Sequence, residues 1–130
     1  MLKVSIRSLK VLIVLYGLIM LGLYLYPGRQ MMAFDEQRYV GIRGDYFLHF
    51  TAFIPYSMMF VHYAFLRRKQ VVLFGILALC SAAMYEMIHL FIPDRSFNLF
   101  DALSNAIGAS LGLILYFILL KTRVLDNTPQ

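Results

Sequence analysis

Glu86 and His89 stand three residues apart inside an apolar run. Asp45 and His49 stand four apart at the start of another, and Asp101 and Asn105 four apart at the start of a third. On a helix each of these spacings puts both side chains on one face. Carboxylate, imidazole and amide groups held together in this way suit proton transfer, hydrogen bonding to a polar ligand, or coordination of a cation. Glu86 has the weakest structural explanation. An unpaired charge inside a membrane helix costs on the order of 3 kcal/mol, so the residue must be protonated, paired or open to a water-filled cavity. Its candidate partners are His49, His89 and Arg95.

Each pair also has a structural reading. Asp45 follows Gly44 and suits the N-cap of a helix, and Asp101, three residues after Asn98, suits the third helical position of a cap. His49 and His89 read singly as satisfied bundle histidines, Asn105 as an interhelical hydrogen-bonding group, and His62, with no polar neighbours in sequence, as structural. Arg95, in the turn "PDRS", is either an interfacial anchor or an anion-binding group over the site. Taken together, the candidate ligand-binding set is Asp45, His49, Glu86, His89, Arg95, Asp101 and Asn105. Glu86 and His49 are the acid–base pair of any catalytic version. A metal would draw on Asp45, His49, Glu86, His89 and Asp101. Di-metal four-helix sites use two Glu-x-x-His motifs, however, and this chain has one, so no metal and no cofactor is expected.

The elements that must position these residues are apolar helices. The chain has 130 residues, 61% of them hydrophobic and only 15% charged, and its mean hydropathy of +0.71 lies outside the range of ordinary soluble domains. Apolar stretches run over Val11 to Tyr26, Tyr46 to Leu66, Val71 to Ile92 and Leu99 to Leu120. The expectation is an all-α membrane protein. It is a four-transmembrane-helix bundle forming one domain over 1–130, with helices at about 9–26, 46–66, 71–92 and 98–120. The amino-terminal run lacks a small-x-small cleavage site in "YLYPGRQMMAF" and reads as a retained helix. Cys80 is the single cysteine, excludes an intramolecular disulfide, and reads as a buried, inert thiol.

The net charge of +5 is distributed by topology. Lys3, Arg7, Lys10, Arg67, Arg68, Lys69, Lys121 and Arg123 fall on one side of a four-span arrangement, and Arg29, Arg38, Arg43 and Arg95 on the other. The positive-inside rule then puts both termini in the cytoplasm and leaves no role for a nucleic-acid partner. Six of the seven acidic residues fall on the outer side. Gly108 and Gly112 continue the Asp101 and Asn105 face as a small-x-x-x-small pair, which predicts close packing of the third and fourth helices. Pro55 predicts a kink below His49, and the loop "PGRQMMAFDEQRYVGIRG" reads as an interfacial segment or lid.

The stretches "DYFLHFTAF" (45–53) and "EMIHLFIPDRSFNLFDALSNAIGASLG" (86–112) resemble the VanZ-like family, whose pattern is an Asp, then His-Phe and Phe, then Glu, Pro, Arg-Ser/Thr-Phe, Asp, Asn, Gly and Gly. Tyr46 stands where the family often has Lys, and His89 where it usually has Gln. The resemblance implies a small multi-pass protein of the bacterial cytoplasmic membrane, in a family named for a member linked to teicoplanin resistance. Three functions then stand open. One is a non-enzymatic protein binding a lipid-linked cell-wall precursor or a glycopeptide antibiotic at an outward-facing pocket. The second is a membrane enzyme using Glu86 and His49 on a lipid-linked substrate, and the third a small proton-coupled transporter, which would require a homo-oligomer.

Overall fold

The computed structural model describes residues 5–25, 38–39, 42–92 and 96–126. They form four helices, α1 (Ile6–Leu25), α2 (Gly44–Leu66), α3 (Val71–Met87) and α4 (Leu99–Asp126), and a 3-10 turn at Ile88–Phe91 continues α3. A two-residue antiparallel ladder of β1 (Arg38–Tyr39) and β2 (Ile42–Arg43) leads directly into α2.

Local chemistry sets the helix ends. Ser5 caps α1, its hydroxyl accepting the Ser8 N–H at 3.0 Å. Between α2 and α3 the N–H of Lys69 returns to the Ala64 carbonyl and that of Arg68 to Phe65, the two bonds of a Schellman turn. Arg68 takes the left-handed position there, with φ 51°, where glycine is the usual residue. Asn98 caps α4, its side-chain oxygen accepting the Phe100 N–H at 3.0 Å. Asp45 does not cap α2: the cap position is Arg43, and Asp45 lies inside the first turn.

Three of the helical segments, Ile6–Leu25, Val71–Phe91 and Leu99–Thr122, are long and apolar enough to cross a membrane. The 23-residue α2 differs in composition, carrying Asp45, His49, Pro55, Ser57 and His62, and it continues as a helix through Pro55. Its position explains its polarity. α2 touches each of the other three helices, so its polar groups meet protein partners. Tyr16 on α1 donates to the Ala52 carbonyl at 2.6 Å, Tyr56 meets Ser81 of α3 at 2.7 Å, and Ser57 donates to the Ala109 carbonyl of α4 at 2.8 Å. Interhelical bonds of this kind each contribute about 0.6 kcal/mol in a membrane.

The outer faces are apolar. Leu12, Leu18 and Ile19 of α1, Val72 and Ile76 of α3, and Ile107 and Ile114 of α4 are all exposed, while Asp45, Ser57, Glu86, His89, Asp101 and Asn105 are buried. Apolar outside and polar inside is the distribution a hydrocarbon surround demands. Cys80 lies on this outer surface, in contrast to the buried thiol expected, because its position on α3 turns away from the bundle.

The small-residue face of α4 also differs from expectation. A Cβ on Gly108 would run into the Phe50 carbonyl, and one on Gly112 into Ser57 and the Ile54 carbonyl, so both glycines close on α2 and not on α3. Contact with α3 is made by its own small residues, Gly75, Ala78 and Ala82, all buried. α2 and α4 run parallel at van der Waals distance, which brings His49 level with Asn105.

Candidate functional site

The ends of all four helices meet around Asn105. Its side-chain N–H donates to the Ala82 carbonyl of α3 at 3.1 Å, which fixes the amide orientation, and its Oδ1 lies 3.0 Å from Nδ1 of His49. An amide oxygen only accepts, so a hydrogen bond between these two atoms requires the tautomer with the proton on Nδ1, in which Nε2 of His49 carries the lone pair. That Nε2 faces Asp101, 3.9 Å from Oδ2. The Tyr24 hydroxyl of α1 completes the group, 2.7 Å from His49 Nδ1 and within 3.0 Å of the Asn105 amide.

Glu86 enters from α3 and is fully buried. One carboxylate oxygen, Oε1, lies 2.8 Å from His89 Nδ1 and accepts the Asn98 N–H at 3.1 Å. This second bond explains the fate of Asp101. In a capping box the residue at the third helical position turns back to the cap N–H. Here Glu86 from the preceding helix takes that N–H, and the Asp101 carboxylate faces the site. The 3-10 turn after Met87 places the His89 ring beneath Glu86, where it stacks on Tyr24 with ring centroids 5.1 Å apart.

Three buried side-chain atoms have no hydrogen-bond partner among the described residues: Glu86 Oε2, Asp101 Oδ1 and Arg43 Nε. All three belong to this end of the bundle. Donor atoms of His49, Glu86 and Asp101 come within 4.8 Å of one another. Asp45 stands at the rim, engaged by the Arg43 guanidinium and by the Tyr46 N–H at 2.9 Å. Burial opposes the charge on Arg43, but the adjacent Asp45 carboxylate outweighs it and raises the guanidinium pKa above its ordinary value. Arg43 also lies over the Tyr46 ring, 5.2 Å from its centroid.

Of the residues singled out by sequence, the structure thus brings together His49, Glu86, His89, Asp101 and Asn105, with Asp45 at the edge. Arg95 and the greater part of the 27–44 loop lie outside the described residues. Sequence reasoning misses Tyr24, since the candidate set holds no residue of α1. The available signal was the spacing of Leu9, Tyr16, Met20 and Tyr24, a helical face on which two hydroxyls interrupt an apolar run.

Comparison with curated proteins and with solved structures gives no match. A family model described as VanZ/LLP1 matches residues 10–120, which takes in α2 and α3, most of α1 and α4, and every residue of the cluster described above. The chain belongs to the VanZ/LLP1 family.

Proposed function

We propose that this protein lies in the bacterial cytoplasmic membrane and binds the polar headgroup of a lipid-linked envelope component, or of a lipophilic glycopeptide antibiotic, at the cluster around Asn105. In this reading the chain is a single domain in which α2 is the fourth span, so that both termini and the Arg67–Lys69 turn are cytoplasmic and the cluster faces outward. The observation that carries the reading is the pair of orphaned carboxylate oxygens, Glu86 Oε2 and Asp101 Oδ1. A buried acceptor without a donor costs about 1–3 kcal/mol or more, and a ligand rich in O–H and N–H groups removes that penalty. Sugar and peptide headgroups are such ligands. Arg43, at the rim, supplies the cation for a phosphate linking headgroup to lipid.

Glu86→Gln tests this. The glutamine oxygen can still accept from Asn98 and face His89, so thermal unfolding in detergent should be unchanged or raised. Retention of teicoplanin or of a lipid-linked cell-wall precursor by the purified protein should fall at least about tenfold, the loss of a charged hydrogen bond. Binding at wild-type strength would remove Glu86 from the site. Topology is checked separately. Lys69→Cys in a Cys80→Ala background should resist an impermeant thiol reagent in intact cells and react once the membrane is opened.

A membrane enzyme acting on the same headgroup is the second reading, favoured by one observation. His49 Nε2, unprotonated in the tautomer that the Asn105 contact requires, faces Asp101 at 3.9 Å and so presents a base to the cluster. Turnover of a lipid-linked substrate by the wild type, abolished by His49→Gln, would select it over binding alone.

A further inference from the structure

The His49, Glu86 and Asp101 side chains come from α2, α3 and α4, and the first two arrive with another polar atom already committed. His49 Nδ1 is held by Asn105 Oδ1 at 3.0 Å. Glu86 Oε1 is held by the Asn98 N–H at 3.1 Å and lies 2.8 Å from the His89 ring. What remains free is one imidazole lone pair and the orphaned oxygens Glu86 Oε2 and Asp101 Oδ1, the former on a side chain with 0% exposure. A histidine whose second ring nitrogen donates to a carbonyl, and carboxylates steadied by hydrogen bonds, are the supports that metal ligands receive from their surroundings.

Charge points the same way. Asp45 is neutralised by Arg43. Among the described residues the ion pairs of Glu86 and Asp101 are with histidines and none is with a lysine or arginine, and Arg43, which acts on Asp101 from a distance, is itself paired with Asp45. Two carboxylates in a low-dielectric bundle are balanced by a charge of +2.

We propose that His49, Glu86 and Asp101 form a binding site for a single divalent transition-metal cation of the Zn2+ or Mn2+ class. One nitrogen and two carboxylate ligands suit these ions, and three protein ligands leave coordination positions open to water or a ligand group. The donor atoms lie within 4.8 Å of one another. Bonds of about 2.0–2.2 Å require neighbouring donors at roughly 3–3.6 Å, so the carboxylates rotate inward by about 1 Å on binding. The site is mononuclear, and for that reason the single Glu-x-x-His motif, which argues against a dinuclear centre, does not argue against it. Asp45 and His89 are outside the ligand set because Arg43 and Glu86 already engage them.

Cation binding goes beyond the headgroup reading and is measured without any lipid ligand, so either can fail alone. The full-length protein is purified in detergent, stripped with a chelator, reloaded with Zn2+ or Mn2+, desalted, and assayed by elemental analysis. Wild type should retain about one ion per chain, and His49→Gln and Asp101→Asn below about 0.2, with the ion raising the thermal midpoint of wild type only. His62→Asn, a histidine change at the other end of the bundle, should keep the wild-type stoichiometry and shows that the loss is local. Circular dichroism of the variants separates lost ligands from lost fold, and a variant that is not helical is replaced by Glu86→Gln. Wild type holding less than about 0.1 ion per chain of both metals, or either folded ligand variant holding the wild-type amount, overturns the proposal.

Discussion

Two histidines of α2, thirteen residues and about 20 Å apart, each meet a tyrosine of another helix. His49 meets the Tyr24 hydroxyl at 2.7 Å and His62 meets that of Tyr116 at 3.2 Å, with similar ring separations of 5.4 and 5.8 Å. Their surroundings differ. Around His62 and Tyr116 is a cavity of about 260 Å³ lined by Leu9, Met58, Met59, Phe65, Leu119 and Leu120, with no acidic residue among the described lining residues. Around His49 and Tyr24 are Asn105, Asp101 and Glu86, and every buried orphan atom found among the described residues belongs to that end. A histidine hydrogen-bonded to a tyrosine is therefore a packing device that one bundle can use twice. What distinguishes a site is the polar capacity left over after such bonds are made.

Both ends depend on the α2–α4 contact, so the largest expected effect removes the comparison altogether. Gly112→Leu drives a side chain into Ser57 and the Ile54 carbonyl, which are backbone and near-backbone atoms that cannot move aside. Overpacking of a tight contact costs about 1–3 kcal/mol and more where backbone must shift. Loss of the folded species from detergent, read by size-exclusion chromatography, is the expected outcome. A monodisperse, thermally unchanged protein would mean that α2 and α4 are not held at this distance.

Asn105→Ala acts at one end alone. It takes a second donor from the Ala82 carbonyl, removes the acceptor that His49 Nδ1 faces, and leaves the Tyr24 hydroxyl with one partner fewer. Unsatisfied buried groups cost about 1–3 kcal/mol each, so a loss of roughly 2–3 kcal/mol in denaturant titration is expected, with headgroup binding lost in the folded fraction. An effect under about 0.5 kcal/mol would mean that water replaces the amide, and the cluster is then an open, hydrated pocket.

The asymmetry between the ends was partly legible in the sequence. Periodicity grouped Asp45 with His49, Glu86 with His89, and Asp101 with Asn105, since helical spacing alone decides which residues share a face. It could not decide which helix each face meets. Gly108 and Gly112 look equally suited to α2 and α3, and the choice comes from the rotation of α4 needed to bury Asn105 and Ala109 at once. Tyr24 was hidden for a related reason: a tyrosine near a helix end also suits a membrane interface, and only the approach of α1 to α2 turns its hydroxyl inward. Asp101 shows a third limit. Its spacing from Asn98 fits a capping box, and nothing local reveals that Glu86, twelve residues before Asn98, takes the cap N–H instead.

The finest test compares the two tyrosines by the same one-atom change. Tyr24→Phe deletes a hydroxyl that His49 and Asn105 share, at distances of 2.7 to 3.0 Å. Tyr116→Phe deletes one that meets His62 at 3.2 Å, longer than the usual hydroxyl bond. Phenylalanine keeps each ring, including the stack of ring 24 on His89. The stability difference therefore reports the hydrogen bonds alone. A loss of about 1 kcal/mol is expected for Tyr24→Phe and no more than about 0.5 kcal/mol for Tyr116→Phe, both measured by denaturant titration. Binding separates them further. Without its hydroxyl, position 24 no longer helps to hold His49 and Asn105 in the arrangement that presents Nε2 to Asp101, so headgroup retention should weaken several-fold, whereas Tyr116→Phe should leave it unchanged. Equal losses of stability together with equal binding would show that the two histidine–tyrosine pairs are the same device, and that the carboxylates near His49 add nothing to it.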